Sequence, residues 1–385
     1  MLDATLTRNT DLALADEQQD FVRALRDFAA KEVTQEVLEA NERDHHSPGL
    51  AQKLAELGWW SLCIDEEYGG SGGSFYDATL FLEEIAHGRV PVAGYGVTLI
   101  VVGALNRFGS EEQKQELLGG VSRGGVLAIA MSEPDSGSDV ASLKTRARLE
   151  DGEWVLNGSK MWCSYAHAAS HTLIVCRTQE GSERHEGLSM ILVPHDAEGF
   201  TITPIKTLGG EETNELHLDN VRVPEPALLG VEGNGWTQLM AGLNNERVIL
   251  AASALGLAQR SFDDALAYAK ERKQFGRAVG TFQALQHKFA EMATELAQAR
   301  LLVRFVAQLT DQDPTRMLPQ EASMAKLACT ELAKRCALEG MQIMGGYGYA
   351  SEYPMERYLR TAVVTTIYGG TSEIQKNIIA KTLGL

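Results

Sequence analysis

The sequence predicts an α+β protein of three consecutive parts, with helices first, β-strands in the middle and helices again at the end. Apolar residues recur at helical spacing near both ends of the chain, whereas between them they alternate and are separated by turn residues. At 385 residues, the chain has room for two or three structural units. We expect domains at residues 1–124, 125–232 and 233–385.

The first part is predicted to be helical from Asp16 to about residue 120. Asp16 is predicted to cap its helix together with Gln19, and Ser110 to cap a later one together with Gln113. An amphipathic helix is expected over residues 75–87.

The middle part shows the pattern of antiparallel strands. Asp151-Gly152 predicts a hairpin turn, and Asn157-Gly158 predicts a second one. Strand-like runs follow at residues 171–177, 188–193, 200–204 and 215–223, spaced as in a small barrel or sandwich.

Helical spacing returns beyond about Gly235. Long helices are predicted to continue to Lys270 and over residues 283–309 and 321–344, with a last helix starting near Thr371. No repeat or long linker interrupts the chain.

Composition excludes several classes of function. The net charge of −17 would repel a polyanion, so we expect no nucleic-acid partner, and a phosphate-bearing ligand must be held by local donors. No apolar run reaches the length of roughly 18 to 20 residues that spans a bilayer, so membrane insertion is not expected. The N-terminus shows no targeting pattern, which predicts a bacterial-type cytoplasmic location.

The cysteines and histidines predict neither a disulfide framework nor a metal site. The five cysteines are odd in number and contain no Cys-x-x-Cys pair, so we expect reduced, mostly buried thiols. His167 and His171 have the spacing of a metal pair, but two histidines without further ligands do not complete a zinc site.

Three segments have the residue types of a polar ligand site. The first covers residues 130–139, rich in hydroxyls; the second is Arg272-Lys273-Gln274-Phe275-Gly276; the third combines residues 345–348 with 368–373. Taken singly, the first also fits a tight turn and the second a helix terminus with a glycine C-cap. None fits the strand-turn-helix fingerprint of a nicotinamide-binding unit.

Taken together, these segments closely resemble the acyl-CoA dehydrogenase family of flavoproteins. The likeness covers nearly the whole chain, and its most specific elements are Ser132-Glu133-Pro134, Gly137-Ser138-Asp139, Asn157-Gly158-x-Lys160-x-Trp162, Arg272-x-x-Phe275-Gly276 and Gly370-Thr371-Ser372-Glu373-Ile374. The resemblance implies N-terminal helices, a middle antiparallel β-barrel and a C-terminal four-helix bundle, assembled as a homotetramer. It also implies FAD bound between domains and against a neighbouring subunit.

The resemblance assigns roles to individual positions. Met131, Ser132, Trp162 and Ser164 would border the flavin ring, with Trp162 shielding one face, and Gly137 would also contact FAD. The remaining FAD contacts would come from Arg272, Phe275, Gln283, Gln342, Gly345, Gly346, Thr371 and Glu373. Ser138 would contact both FAD and the pantetheine arm of the substrate, and Asn244, Arg247 and Tyr368 would also bind substrate.

The implied reaction is α,β-dehydrogenation of an acyl-CoA to the trans-2-enoyl-CoA, a step of fatty-acid β-oxidation, with an electron-transfer flavoprotein as acceptor. It needs a carboxylate beside the α-carbon. Most relatives carry that glutamate directly after the tyrosine matching Tyr368, but this chain has Gly369 there. Isovaleryl-CoA and long-chain enzymes carry it instead in a Glu-Arg pair, which Glu246-Arg247 matches.

Glu246 is therefore the expected base, although a solvated glutamate near a helix start fits the sequence alone. The backbone amide of Gly369 is expected to polarise the thioester carbonyl. Arg247 fits either substrate orientation or a structural ion pair.

Two alternatives stay open. One is a dehydrogenase of a carrier-protein-bound acyl thioester, and the other a catalytically silent flavoprotein of the same fold, which the glycine at position 369 would suit.

Overall fold

The computed structural model describes residues 14–44, 48–92 and 94–385. The helices in this part of the chain are α1 (Asp16–Glu32), α2 (Gln35–Asp44), α3 (Pro48–Glu56), α4 (Phe75–His87), α5 (Tyr95–Phe108), α6 (Glu111–Gln113), α7 (Gly119–Ser122), α8 (Gly235–Glu271), α9 (Gln283–Gln312), α10 (Pro319–Met344), α11 (Gly346–Tyr349), α12 (Met355–Thr365) and α13 (Ser372–Thr382). The strands are β1 (Leu127–Ala130), β2 (Arg146–Glu150), β3 (Glu153–Ser164), β4 (His171–Arg177), β5 (Leu188–Pro194), β6 (Phe200–Thr207), β7 (Gly210–Pro224), β8 (Leu228–Leu229), β9 (Lys273–Gln274) and β10 (Arg277–Ala278).

The chain forms two compact units. Among the described residues, the helical unit comprises 14–34, 75–90 and 247–385, and the sheet unit comprises 35–44, 48–74, 91–92 and 94–246. The division between Glu246 and Arg247 falls inside the continuous helix α8.

In the helical unit, α1 packs against α4, and α4 packs against α9. A buried cluster contains Val22 of α1, Tyr76 and Leu80 of α4, Ala307 of α9, and Leu14, which precedes α1. Helices α4 and α8 approach closely, because a Cβ on Gly256 would lie only 2.1 Å from the carbonyl oxygen of Glu83.

The sheet unit contains one eight-stranded sheet. The strand order is β6-β7-β3-β2-β4-β5-β8, with β1 added beside β4. The predicted order of N-terminal helices, a middle β unit and C-terminal helices is confirmed. The middle unit differs from the expected antiparallel barrel in detail: the described strands do not close into a ring, and β1 and β2 both pair in parallel with β4. Strand β1 follows a helical segment and is not joined to a neighbouring strand by a hairpin turn. It can therefore pair in parallel with β4.

Local turn chemistry explains which hairpin prediction holds. Asp151 and Gly152 adopt φ values of +51° and +83°, the conformation of a tight two-residue hairpin between β2 and β3. The prediction of a second turn at Asn157-Gly158 is wrong, because both residues lie within the continuous strand β3. A register shift lies there instead, and Gly158 permits close approach, since a Cβ would lie 2.5 Å from the Thr145 hydroxyl oxygen.

Helix capping is predicted correctly at one site and wrongly at another. Ser110 accepts the N–H of Gln113 at 3.2 Å, and the Gln113 side chain accepts the N–H of Ser110 at 3.0 Å, as a capping box requires. The prediction for Asp16 is wrong because α1 already includes it. The side chain of Gln18 accepts the N–H of the preceding Ala15 at 3.3 Å, so the reciprocal glutamine lies one residue earlier than predicted.

The cysteines are mostly buried, as predicted. Cys163, Cys176, Cys329 and Cys336 are buried and Cys63 is partly buried, all without a disulfide. Burial raises the pKa of Cys163 and Cys176 to about 12, so neither thiol is activated. Within the described residues, no helix has the length and apolar character needed to cross a membrane.

Candidate active site

The first group of predicted site residues lies where β1 ends beside β3. Met131 and Ser132 follow β1 directly, and the Ser132 carbonyl accepts the N–H of Met161 at 2.9 Å. The ammonium of Lys160 donates to the Met131 carbonyl at 3.0 Å. These bonds place Met131 and Ser132 next to the stretch of β3 that carries Trp162.

A buried ion pair supports this junction. The Lys160 ammonium lies 2.9 Å from a Glu133 carboxylate oxygen, and the two side chains are 0% and 6% exposed. Burial alone would raise the pKa of Glu133, but the charge of Lys160 and hydrogen bonds from Thr145 and Lys144 outweigh it and lower the pKa. Glu133 is therefore a fixed anion, and it was not among the predicted site residues.

Trp162 is presented to solvent by an irregularity in β3. Its φ of +64° is strained for a non-glycine residue, and the register with β7 shifts between Lys160 and Cys163. The side chain is 56% exposed. Ser164 follows and pairs with Thr213 of β7. Strain that holds a large aromatic ring outside the core is typical of a ligand site.

Gly137 and Ser138 are exposed and lie on the loop that follows β1, which also contains Met131 and Ser132. A Cβ on Gly137 would contact no atom within 4 Å, and its φ is not left-handed. Neither packing nor backbone conformation within the described chain therefore requires glycine there, which leaves space for a ligand to approach.

Three predicted residues lie inside α8. Asn244, Glu246 and Arg247 are buried, with 5%, 6% and 9% of their surface exposed. The expectation that Glu246 lies near a helix start is wrong, because α8 begins at Gly235, eleven positions earlier. The alternative of a solvated glutamate at a helix terminus is thereby excluded for this structure.

The second group lies in the helical unit, just beyond α8. Arg272 leads into a hairpin of β9 and β10, in which Phe275 and Gly276 have φ values of +52° and +79°. Gly276 thus forms a hairpin turn, not the helix C-cap considered from sequence. Phe275 is 92% exposed at its tip. Gln283 is the first residue of α9 and is also exposed.

Arg272 connects this hairpin to the glycine-rich segment after α10. Its guanidinium lies 5.3 Å from the centre of the Tyr347 ring. Gly345 caps α10 with a φ of +60°, Gly346 begins α11, and a Cβ on either glycine would contact nothing within 4 Å. Gln342 is exposed in the last turn of α10. The second and third predicted segments therefore meet.

The last group forms the turn between α12 and α13. Tyr368 is 37% exposed, and Gly369 and Gly370 have φ values of +59° and +82°. Thr371 caps α13 by accepting the N–H of Ile374 at 3.3 Å. Glu373 is exposed in the first turn, where hydrogen bonds from its own backbone N–H and from Thr371 lower its pKa. Lys326 and Gln375 contact this turn and were missed from sequence.

Family models match almost the whole described chain. The N-terminal, middle and C-terminal domain models of acyl-CoA dehydrogenase match residues 15–125, 128–221 and 233–384. The chain belongs to the acyl-CoA dehydrogenase family. Acyl-CoA dehydrogenases are FAD-dependent oxidoreductases that act on a CH–CH bond, and this chain is one of them.

Two relatives illustrate the distance within the family. An acyl-CoA dehydrogenase of Bacillus subtilis (strain 168) is 39% identical, with 95% of this chain and 98% of the relative covered. The mitochondrial short/branched chain specific acyl-CoA dehydrogenase of Bos taurus is 38% identical, with 96% of this chain and 86% of the relative covered.

Three solved structures share the fold. An electron transferring flavoprotein structure of Acidaminococcus fermentans is 33% identical, with a TM-score of 0.89 and coverage of 96% and 98%. The prolyl acyl carrier protein oxidase AnaB is 31% identical, with a TM-score of 0.91 and coverage of 97% and 100%. A glutaryl-CoA dehydrogenase of Mycobacterium smegmatis in complex with FADH2 is 29% identical, with a TM-score of 0.87 and coverage of 97% and 96%.

Proposed function

We propose that this acyl-CoA dehydrogenase converts an acyl-CoA to its trans-2-enoyl-CoA with Glu246 as the base. The observation that carries the assignment is the burial of the Glu246 carboxylate, 6% exposed in the interior of α8, in a chain whose residue after Tyr368 is glycine. A buried ionisable group inside a helix has a stability cost, so its presence favours a functional role.

The chemistry divides into a proton and a hydride. Glu246 takes the α-proton as the C–H bond breaks, and burial suits it to this task because a desolvated carboxylate is a stronger base. FAD, when bound, supplies the hydride acceptor for the β-carbon at flavin N5. The double bond forms from the electrons left at the α-carbon.

The thioester carbonyl needs a hydrogen-bond donor because negative charge develops on its oxygen during proton loss. We assign this role to the N–H of Gly369. No acceptor among the described residues takes that N–H, so it is available to a ligand. A backbone donor also needs no side chain at position 369.

The exposed groups of the site suit FAD. Trp162 offers an exposed ring for stacking, Arg272 offers a guanidinium for the pyrophosphate, and the space beside Gly345 and Gly346 admits a close backbone contact. We assign FAD binding to Met131, Ser132, Gly137, Ser138, Trp162, Ser164, Arg272, Phe275, Gln283, Gln342, Gly345, Gly346, Thr371 and Glu373. Ser138, Asn244, Arg247 and Tyr368 are assigned to the substrate.

The test is anaerobic titration of the FAD-loaded protein with acyl-CoAs of graded length and branching, following flavin absorbance. The set should include short and 2-methyl-branched chains, since the Bos taurus relative is named for short and branched substrates. Glu246→Gln should slow flavin reduction at least about a hundredfold, because it removes a general base. Glu225→Gln, which makes the same change at an exposed position with no assigned role, serves as the control.

Reduction at the wild-type rate in Glu246→Gln would eliminate this residue as the base. A wild-type flavin that no acyl thioester reduces would instead favour the catalytically silent alternative.

A carrier-protein thioester is the second candidate substrate, because AnaB is named as an acyl carrier protein oxidase and covers the same fold. Comparing flavin reduction by one acyl group on CoA and on a phosphopantetheinylated carrier protein separates the two. Reduction by the carrier-bound form alone would replace CoA in the proposal.

We further propose an electron-transfer flavoprotein as acceptor and a homotetramer as the assembly. A groove of about 560 Å³ runs between α9 and α10, and Leu301, Phe305 and Leu338 on these helices are each more than half exposed. A second copy of the chain would cover them. Light scattering of wild type and Phe305→Glu should give a tetramer and a smaller species; a monomeric wild type would refute the assembly.

A further inference from the structure

The turn between α12 and α13 is built from two consecutive left-handed glycines. Gly370 cannot be replaced without strain, since its φ is +82° and a Cβ would lie 2.7 Å from the side-chain nitrogen of Gln375. The turn carries the Gly369 N–H that we assign to the thioester carbonyl. Its orientation therefore matters for the reaction.

Two fully buried side chains hold the carbonyl groups of this turn. The ammonium of Lys326, on α10, donates to the Gly370 oxygen at 2.9 Å. The side-chain amide of Gln375, on α13, donates to the oxygens of Gly369 and Gly370 at 3.0 and 2.9 Å. Lys326 and Gln375 are each 0% exposed.

These bonds hold the backbone directly after the Gly369 N–H. The carbonyl of Gly369 shares a planar peptide group with the N–H of Gly370, and the carbonyl of Gly370 shares one with the N–H of Thr371, so both peptide groups are anchored. The Gly369 N–H belongs to the preceding peptide group, which is joined to the anchored one through the Gly369 Cα, so its direction changes only by rotation about the φ and ψ angles of Gly369. The charge of Lys326 also strengthens its hydrogen bond, and burial removes competing water.

Gln375 has a feature that stability alone does not explain. Its side-chain oxygen is buried and has no hydrogen-bond partner among the described residues, while both donor bonds of its nitrogen go to the turn. An unsatisfied buried acceptor is unfavourable, and such a group in a folded protein calls for an explanation. Here the side chain is oriented so that its nitrogen donates to both carbonyls of the turn, although its oxygen is then left without a hydrogen bond.

We infer that Lys326 and Gln375 are positioning residues that hold the Gly369 N–H in line with the substrate thioester carbonyl. This inference rests on the proposed function. Neither side chain takes part in proton or hydride transfer. Both act through the backbone of the turn.

The test compares FAD-loaded Lys326→Met and Gln375→Leu with wild type, with Ser261→Ala as a control that removes a buried hydroxyl from α8. The first readout is hydrogen–deuterium exchange of peptides covering residues 366–375, which should rise at least about tenfold in the two variants and stay unchanged in the control. Lys326→Arg, which keeps a buried cation, should restore part of the protection.

The second readout is the infrared band of a ¹³C-labelled carbonyl in bound 3,3-dimethylbutanoyl-CoA, which has no β-hydrogen and cannot be oxidised. The bound band should lie below that of the free thioester in wild type and shift back in the variants. With an oxidisable acyl-CoA, kcat should fall at least about tenfold while KM changes less than about threefold, as for a weakened oxyanion donor.

Unchanged exchange in Gln375→Leu, which removes no charge, would overturn the inference. An unshifted carbonyl band with wild-type kcat in both variants would do the same. A wild-type protein whose flavin no acyl-CoA reduces would refute the proposed function, and the exchange measurement would still decide whether the two side chains hold the turn.

Discussion

The Lys160–Glu133 pair gives the sharpest prediction about the architecture of the site. Replacing Lys160 with Met removes a fully buried cation and leaves the Glu133 carboxylate, 6% exposed, with only the N–H groups of Lys144 and Thr145, at 2.6 and 2.8 Å. Leaving one member of a buried ion pair uncompensated costs about 3–5 kcal/mol.

That free energy converts to a measurable shift in melting temperature. With an unfolding entropy of about 2.1 cal/mol/K per residue, a chain of this length loses roughly 4 to 6 °C. The assay is thermal unfolding of the FAD-loaded protein, followed by intrinsic fluorescence. The double variant Lys160→Met/Glu133→Gln should lose less than the sum of the single variants by at least about 1 kcal/mol, because it removes both charges.

The same pair sets a pH dependence. The pKa of Glu133 is lower in the folded chain than its ordinary value of 4.5, so its contribution to stability is present above pH 4.5 and is lost as pH falls through the folded-state pKa. As the pH falls, the Glu133→Gln variant should therefore lose less of its free energy of unfolding than the wild type does. A loss below about 1 kcal/mol in Lys160→Met, or strictly additive effects in the double variant, would refute the reasoning.

Two further predictions concern the backbone of β3. Trp162→Gly should change the free energy of unfolding by less than about 1 kcal/mol, because an exposed ring is lost while left-handed backbone strain is relieved. The same variant should alter the absorption spectrum of bound flavin. An unaltered spectrum would contradict contact between Trp162 and the flavin ring. Gly158→Ala should destabilise the protein by about 2–3 kcal/mol in urea unfolding, since its Cβ would lie 2.5 Å from the Thr145 hydroxyl oxygen. The control Gly103→Ala in α5, where a Cβ would have open space, should be neutral or stabilising. Equal urea midpoints for the two variants would contradict this prediction.

Sequence reasoning located the elements whose signals are local. The hairpin at Asp151-Gly152 and the capping box at Ser110 follow from turn and cap chemistry within four residues, and both are present. The extra glutamines near Asp16 allowed the cap to be placed one residue too late. Asn157-Gly158 has the residues of a turn, but pairing with β7 keeps the strand extended through it.

The buried cations were missed although the sequence holds a signal for each. Lys160 occupies an inward position of the alternation that Trp154 and Leu156 begin, and Lys326 lies on the apolar face of α10 with Ala322 and Cys329. A charged residue at a core position implies a specific partner. The sequence does not name that partner.

The order of helices and strands, the family and the residue types of the site were determined by the sequence alone, because periodicity, turn chemistry and motifs act within short stretches of chain. Tertiary structure alone decided that the sheet stays open, that Glu246 is buried within α8 and that Lys326 and Gln375 reach one turn. These features depend on contacts between residues distant in sequence, for which local patterns carry no information.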